Sequence, residues 1–272
     1  MALVPIKPGD EKKPYYKYYL AGIKPNTKED YDFLENGAWK ERGTGFEFAD
    51  RNLALTQKAR EMESGLYPLN GGGYLTFNKV PLPHVTAEMM MWWSAWHTLD
   101  SLRYKCWNAE DHFDIELTPE DRARTTDESI PLLERTWGTV QRATESIHGG
   151  PVEPVNLYIR KPSEVGLDMS LLGNPDCRYL SVATATVGPM KVYVMGILAD
   201  TPEGSEFREL YYFGYTVEDG KDISILPPAD IPPVKVAAEG ALMHNSKEYR
   251  NLDKILPELY EAYKGKPLEE IF

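Results

Sequence analysis

From about residue 139 onward, hydrophobic residues occur in short runs that are rich in β-branched and aromatic side chains. Turn-forming residues separate the runs, and this pattern is typical of strands in an antiparallel sheet. A shorter strand-like run, from Tyr74 to Phe77, follows a glycine triplet at 71–73. The four later segments are VNLYIR (155–160), YLSVATATV (179–187), KVYVMGIL (191–198) and ELYYFGYTV (209–217).

Helical spacing of hydrophobic residues predicts several helices. Residues 52–63 show this spacing, and so do residues 87–98, where Thr86 suits the N-cap. The helix at 87–98 is apolar nearly all round, so we expect it to be buried on most sides. After a proline-rich crossing, the segment VKVAAEGALMHNSKEYRNL predicts a long helix, and a second helical stretch follows Pro257. The prolines of the crossing are Pro227, Pro228, Pro232 and Pro233.

These elements together predict one antiparallel sheet with a long C-terminal helix packed against it. Such a chain is an α+β domain and not a parallel βαβ fold. Its 272 residues and its 42% hydrophobic content suffice for a substantial core.

Charge and cysteine content exclude several classes of protein. A formal net charge of −12 argues against a nucleic-acid partner, which would need a basic face. No apolar run approaches the length of a membrane span, and the first residues carry no secretory apolar region. The two cysteines, Cys106 and Cys177, form no metal-binding or disulfide pattern. We therefore expect a cytoplasmic enzyme that acts on a small molecule and binds neither nucleic acid nor membrane.

His244 and Glu248 lie four residues apart in the predicted C-terminal helix. Both side chains should project from one face, one turn apart, and so could bind the same ion. The spacing alone is weak, because a solvated His–Glu contact would give the same pattern.

His97 ends the apolar segment MMMWWSAWH. It is either a core histidine satisfied by a backbone carbonyl or a well-oriented metal ligand in an apolar wall. Two imidazoles with carboxylates suit zinc, manganese or iron, and an ion with an open position would make hydroxide available near neutral pH.

Several motifs resemble the 2,4-diacetylphloroglucinol hydrolase and phloretin hydrolase family. The two most specific are WWSAWHTLDSLRYKCWNAEDHF and the tail motif MHNSKE, which ends at Glu248. Between them lie TESIHGG, VNLYIRKPSEVGLD and DTPEGSEFRELYYFG. The resemblance covers roughly residues 74–250. It suggests an N-terminal extension at 1–73 packed on a domain at 74–272, the two forming one structural unit.

The resemblance implies a helix-grip fold like that of the birch-pollen allergens, in which a curved antiparallel sheet grips a long C-terminal helix around a deep cavity. It also implies a homodimer and one divalent metal, zinc in the first place, with Mn²⁺ or Fe²⁺ as alternatives. The implied ligands are His97, Glu145, His244 and Glu248. Glu128 is the alternative to Glu145, while His112 and His148 are expected to be structural or to support the ligands.

Several substrate-facing positions of the family pattern are changed in this chain. The tyrosine expected eight residues before the first histidine is Met89, and the asparagine three residues after it is Asp100. The catalytic histidine of the family corresponds to Gly196, and the arginine beside it to Ala199. The resemblance thus implies a complete metal site and a substrate that differs from that of the relatives.

Three residues are predicted to act in catalysis. Tyr211 and Arg208 are retained from the family pattern, and Asp100 should face the cavity one turn after His97. There, Asp100 could move a proton to or from the substrate. Alternatively it caps a helix or pairs with Arg103.

The resemblance implies hydrolysis of a carbon–carbon bond next to a carbonyl in a phloroglucinol-type 1,3-diketone. Because the histidine is missing, ring opening of dihydrophloroglucinol is slightly preferred, with deacylation of phloretin or a diacetylphloroglucinol-like compound close behind. A carrier of an apolar or phenolic ligand, without catalysis, is the alternative. A metal oxygenase is a weaker one, because two carboxylates depart from the two-His-one-carboxylate arrangement.

Overall fold

The computed structural model describes residues 3–187, 190–225 and 232–270. Two of the crossing prolines, Pro227 and Pro228, lie outside these ranges. The strands are β1 Gly65–Pro68, β2 Tyr74–Pro81, β3 His112–Glu116, β4 Val140–Ser146, β5 Val152–Ile159, β6 Tyr179–Val187, β7 Met190–Thr201, β8 Gly204–Phe213, β9 Tyr215–Glu218 and β10 Lys221–Ser224. The α-helices are α1 Tyr16–Leu20, α2 Lys28–Asn36, α3 Lys58–Glu61, α4 Ala87–Trp96, α5 Ser101–Trp107, α6 Pro119–Thr126 and α7 Pro232–Tyr263.

Eight strands form one antiparallel sheet in the order β1-β2-β8-β7-β6-β5-β4-β3. All the strand-like runs of the sequence lie in strands, which confirms the predicted antiparallel sheet. The run at 209–217 is divided between β8 and β9, because Gly214 adopts a positive φ of 95° that ends the first strand. Strands β9 and β10 form a separate two-stranded sheet.

Helix α7 packs against the sheet, which gives the expected α+β, helix-grip arrangement. Val234, Ala238 and Leu242 of the helix belong to one apolar cluster with Val192 and Phe213 of the strands. Pro257 does not divide this helix in two, contrary to the prediction. The flanking Leu256 and Leu259 are fully buried, and their packing outweighs the hydrogen bond that the proline cannot make.

Helix α4 begins as predicted, with the side chain of Thr86 accepting a hydrogen bond from the Met89 amide. It carries three buried tryptophans and ends at Trp96, after which His97–Leu99 forms a short 3-10 turn. Asp100 then starts α5, which leads to His112 at the first position of β3. The 3-10 turn at His97–Leu99 and helix α5 thus connect α4 to strand β3 of the sheet.

The N-terminal residues contribute to the same core. Val4 and Tyr15 are buried in one apolar cluster with α4, and β1 pairs with β2 of the main sheet. The helix predicted at 52–63 is wrong in part: a 3-10 helix Phe48–Leu55 and helix α3 are separated at Thr56, whose backbone is extended. The division of the chain at residue 73 stays a prediction.

Among the described residues, no helix combines the length and the apolar character that crossing a membrane requires.

Candidate metal centre

A cavity of about 540 Å³ lies between the sheet, the N-terminal half of α7 and the α4–α5 region. Its walls are mainly apolar, with Val192 and Val194 from β7, Ala183 from β6 and Trp93 from α4 among them. Histidines, carboxylates and tyrosines interrupt this apolar lining. The volume falls in the range of small-molecule binding sites, which combine apolar walls with a few placed polar groups.

Four of the lining residues form a tight group. His112 and Glu145 are directly opposite each other in the β3–β4 pairing, and His244 and Glu248 lie one turn apart on α7. Nε2 of His112 lies 3.2 Å from Oε2 of Glu248 and 3.7 Å from Oε2 of Glu145. Nε2 of His244 lies 3.0 Å from the same Glu248 oxygen. Ligand atoms of His112, Glu145 and His244 all lie within 4.8 Å of one another.

Both imidazoles are oriented by a contact on their other ring nitrogen. Nδ1 of His112 lies 3.1 Å from the Tyr104 carbonyl oxygen, and its ring stacks on that of Tyr104 at 3.8 Å. Nδ1 of His244 lies 3.2 Å from Oδ2 of Asp111, and Lys247 pairs with the same carboxylate at 2.7 Å. A proton on each Nδ1 leaves the lone pair of each Nε2 free to bind a cation at the point that the carboxylates also face, as in histidines that bind metals.

This donor set fits a divalent cation. Ligands that are held at about 2.0–2.3 Å in a tetrahedron lie about 3.3–3.7 Å from one another, which is close to the separations between these donors. Oε2 of Glu248 is buried and has no hydrogen-bond partner of suitable geometry within the described ranges, although both Nε2 atoms face it. A bound cation would satisfy this oxygen.

The electrostatics of the group also favour positive charge. Burial disfavours the charged form of Glu248, but the charge of His244 and the contact with His112 lower the pKa of Glu248 to about 2. Conversely, burial is outweighed at His244, where Glu248 and Asp111 raise the pKa well above its usual value. The Glu248 carboxylate therefore stays ionised and attracts either a proton or a metal to this point.

His97 does not join this group, so the first histidine ligand has to be reassigned from His97 to His112. Nδ1 of His97 lies 2.6 Å from the Trp93 carbonyl oxygen, and its ring stacks on Trp93. The Trp107 ring contacts both imidazoles and lies at 5.5 Å from His97 and 5.2 Å from His112. Burial lowers the pKa of His97 to about 4, so it is a neutral core histidine at the cavity wall.

The reassignment also changes the register of the family pattern. The residue eight positions before His112 is Tyr104, so the tyrosine that was matched with Met89 is present. Its hydroxyl donates a hydrogen bond of 2.9 Å to Oε2 of Glu145. The family's asparagine three residues after the histidine was matched with Asp100. With His112 as that histidine, it corresponds to Ile115. The sequence contained a signal for His112, since His112 lies in the same specific motif as His97, one residue before its end.

Asp100 is the N-cap of α5 and is not one of the residues that line the cavity, so its predicted catalytic role is wrong. Its carboxylate accepts hydrogen bonds from the amides of Leu102 and Arg103. It also pairs with Lys13 and accepts a hydrogen bond from the Tyr15 hydroxyl. The position follows from the end of α4 at Trp96, after which the chain turns before Asp100 can return to the cavity face.

Arg208 is also outside the cavity, so its predicted catalytic role is wrong. On β8, the residues Phe207, Glu209 and Tyr211 line the cavity, whereas Arg208 points to the opposite face of the sheet. There the fully buried guanidinium pairs with Glu206 at 2.7 Å and with Asp176 at 3.6 Å. Its role is structural.

Tyr211 does line the cavity, and its hydroxyl lies 3.2 Å from Oε1 of Glu209 and 3.4 Å from Oδ1 of Asn245. Glu128, which follows α6, is exposed and does not belong to the group of ligands. His148 lies in the turn between β4 and β5. Sequence reasoning missed Glu209, which is buried in the cavity wall.

Known proteins resemble this chain over nearly all of its length. It is 31% identical to a phloretin hydrolase of Eubacterium ramulus over 266 residues, which cover 94% of this chain and 92% of that protein. It is 22% identical to a 2,4-diacetylphloroglucinol hydrolase of Pseudomonas protegens, over 92% of this chain and 85% of that protein.

Solved structures give weaker matches. A protein from Mesorhizobium loti aligns with a TM-score of 0.36 and 12% identity, over 68% of this chain and 97% of that one. Ara h 8.0201 aligns with a TM-score of 0.35 and 14% identity, over 66% of this chain and 99% of that one. The model of the DAPG hydrolase PhiG domain, in contrast, matches residues 46–261, which include all four residues of the candidate metal centre. The chain is therefore an enzyme that belongs to the DAPG hydrolase PhiG domain family.

Proposed function

We propose that this protein is a metal-dependent hydrolase that cleaves the carbon–carbon bond between a ketone carbonyl and the ring of a phloroglucinol-type 1,3-diketone. The observation that carries the proposal is the convergence of His112, Glu145, His244 and Glu248 on one point in the wall of a 540 Å³ cavity. The names of the relatives, a phloretin hydrolase and a 2,4-diacetylphloroglucinol hydrolase, support the substrate class.

When bound, a divalent ion supplies Lewis-acid activation of water and of a carbonyl oxygen. The protein's own side chains orient the reaction around it. Tyr104 holds the carboxylate of Glu145 in place, and Asp111 fixes the ring of His244. The mixed imidazole and carboxylate set suits zinc, Mn²⁺ and Fe²⁺. Zinc is the first choice because of the resemblance to the family.

Two polar groups are available to the substrate opposite these ligands. Nδ2 of Asn245 is buried without a hydrogen-bond partner among the described residues, and the hydroxyl of Tyr211 lies 3.4 Å from Oδ1 of the same side chain. The amide can donate to a ring oxygen or a carbonyl oxygen, whereas the apolar walls exclude water from the reacting carbon. Exclusion of water strengthens such hydrogen bonds during the reaction.

Within the substrate class, we infer that an acylphloroglucinol with a large acyl group, such as phloretin, fits the cavity better than a single reduced ring. The volume and the apolar walls, which include Leu157, Ile159 and Val194, support this choice. Ring opening of dihydrophloroglucinol is the second candidate. It is favoured by Gly196, which stands where the family carries a catalytic histidine and so suits a substrate that is already a ketone.

A panel of phloretin, a diacetylphloroglucinol and dihydrophloroglucinol tests the proposal. Each compound is incubated with metal-stripped protein and with protein reloaded with Zn²⁺, Mn²⁺ or Fe²⁺, and products are separated by liquid chromatography. We expect phloretin to yield phloroglucinol and the arylpropionic acid, and Glu248→Gln to yield neither. A wild type that binds the compounds but turns over none of them after reloading with any of the three metals would identify a carrier.

A further inference from the structure

Glu209 is a carboxyl group in the wall of the cavity that the metal centre does not use. It lies on β8, is 7% exposed, and belongs to the lining residues. Its Oε1 accepts hydrogen bonds from the hydroxyls of Tyr211 at 3.2 Å and Tyr249 at 3.4 Å. Its Oε2 is buried and has no hydrogen-bond partner among the described residues. A buried carboxyl oxygen without a partner is costly, and such atoms occur where a ligand or a reacting group completes the contact.

The position of Glu209 in the sheet is directly opposite Gly196. The two are partners in the β7–β8 pairing, so they share the cavity face of adjacent strands. A side chain at Gly196 has no space, because a Cβ there would lie 2.7 Å from Cζ of Phe207 and 2.7 Å from Oγ of Ser181. At this part of the cavity wall, the ionisable group is thus on β8, at Glu209, and not on β7.

We propose that Glu209 is a catalytic residue, the acid that delivers a proton to the ring carbon as the carbon–carbon bond breaks. This inference rests on the proposed function. The bond between the acyl carbon and the ring carbon breaks, and its electron pair goes to the ring carbon. A C–H bond then forms there with the proton of Oε2. Water supplies the hydroxyl of the carboxylic acid product, and its remaining proton returns to Glu209, which balances the reaction.

The hydrogen bonds of Glu209 determine which oxygen carries the proton. Since both tyrosine hydroxyls donate to Oε1, the acidic proton belongs on Oε2, the oxygen without a partner. Burial raises the pKa of Glu209 well above its usual value, which favours the protonated carboxyl. Tyr211 is the poorer acid, since burial raises its pKa well above its usual value.

Glu209→Gln is the decisive variant, because the amide retains an acceptor for both tyrosines but cannot transfer a proton. The matched control is Glu206→Gln, on the same strand but paired with Arg208 outside the cavity. With metal-loaded protein and phloretin, we expect Glu209→Gln to lower kcat by about 10²-fold or more at wild-type metal content. The control should stay within a few fold of the wild type.

A second measurement separates proton transfer from a structural role. By microscopic reversibility, the wild type should accelerate exchange of the ring hydrogens of phloroglucinol in D₂O, followed by NMR, and Glu209→Gln should not. Glu209→Asp, which keeps the acid but shortens its reach, should retain part of the exchange and serves if the Gln variant does not fold. Turnover and exchange at wild-type rates in Glu209→Gln, or in Glu209→Asp if only that variant folds, would overturn the inference alone. A wild type inactive on the whole panel would overturn the proposed function as well.

Discussion

Nε2 of His112 lies 3.2 Å from Oε2 of Glu248, although one residue starts a strand and the other lies in the C-terminal helix. The contact joins the two halves of the candidate metal centre. It exists because β3 pairs with β4 at one edge of the sheet while α7 crosses the cavity beside it. The two ligands therefore meet only because the sheet and the helix pack together in the tertiary structure.

Replacing His112 and His97 in turn tests the ligand assignment. We expect His112→Ala to lose most of its bound metal and its turnover, because one of the converging imidazoles is removed. His97→Phe should keep the metal, since the imidazole of His97 contacts a backbone carbonyl and the ring is replaced by one of similar shape. Metal content by elemental analysis, with circular dichroism as a check of folding, measures both. Loss of metal in His97→Phe with full metal in His112→Ala would restore the assignment to His97.

Asp111 should tune the affinity of the site without touching the metal. Its carboxylate contacts Nδ1 of His244 and forms an ion pair with the fully buried Lys247. Substituting such a supporting carboxylate usually costs about 10–100-fold in metal affinity, and we expect this loss for Asp111→Asn in competition titrations with a chelator. Asp114→Asn, which loses only a partly exposed pair with Lys7, is the control. Equal affinities in the two variants would contradict the role of Asp111.

Removal of the metal should leave the protein folded but less stable. Without an ion, His244 can take a proton and pair with Glu248 and Asp111, so the buried carboxylates keep partners. We expect the circular dichroism spectrum to survive treatment with a chelator. Adding metal at about 100 times its Kd stabilises the folded state by about 2.7 kcal/mol, which corresponds to a rise in Tm of about 5–10 °C. An unchanged Tm over a full titration would argue that the group binds no metal.

Asp100 should matter for stability and not for turnover. Asp100→Ala removes the N-cap of α5 and should cost about 0.5–2 kcal/mol in the free energy of unfolding, whereas Asn retains the cap. Although burial opposes it, Lys13 holds the pKa of Asp100 below its usual value. The ionised carboxylate therefore stabilises the fold above its unfolded pKa of about 3.9, and this contribution disappears as the pH falls through the folded pKa.

Denaturant titrations of the wild type, Asp100→Asn and Asp100→Ala between pH 7 and pH 3 measure this contribution. The difference between the wild type and Asp100→Asn should shrink as the solution becomes more acidic. A kcat that falls by about 10²-fold in Asp100→Asn at full metal content would instead return Asp100 to the catalytic residues.

The sequence by itself determined the class of fold and the ligands that belong to a local pattern. The short runs of β-branched and aromatic residues between turn residues predicted the strands, because the preference of these side chains for a strand and of turn residues for its ends is local. The spacing of His244 and Glu248 placed both on one helix face for the same kind of local reason. The sequence motifs also indicated the family.

Only the tertiary structure decided between His97 and His112. Both lie in the motif at 92–113, and their local patterns do not differ in any way that bears on metal binding. The decision depends on the pairing of β3 with β4, which places His112 opposite Glu145, and on the end of α4, which directs His97 to the carbonyl of Trp93. Glu209 could not be identified from the sequence either, because its surroundings in the cavity come from other elements: Gly196 on β7 and Tyr249 on α7.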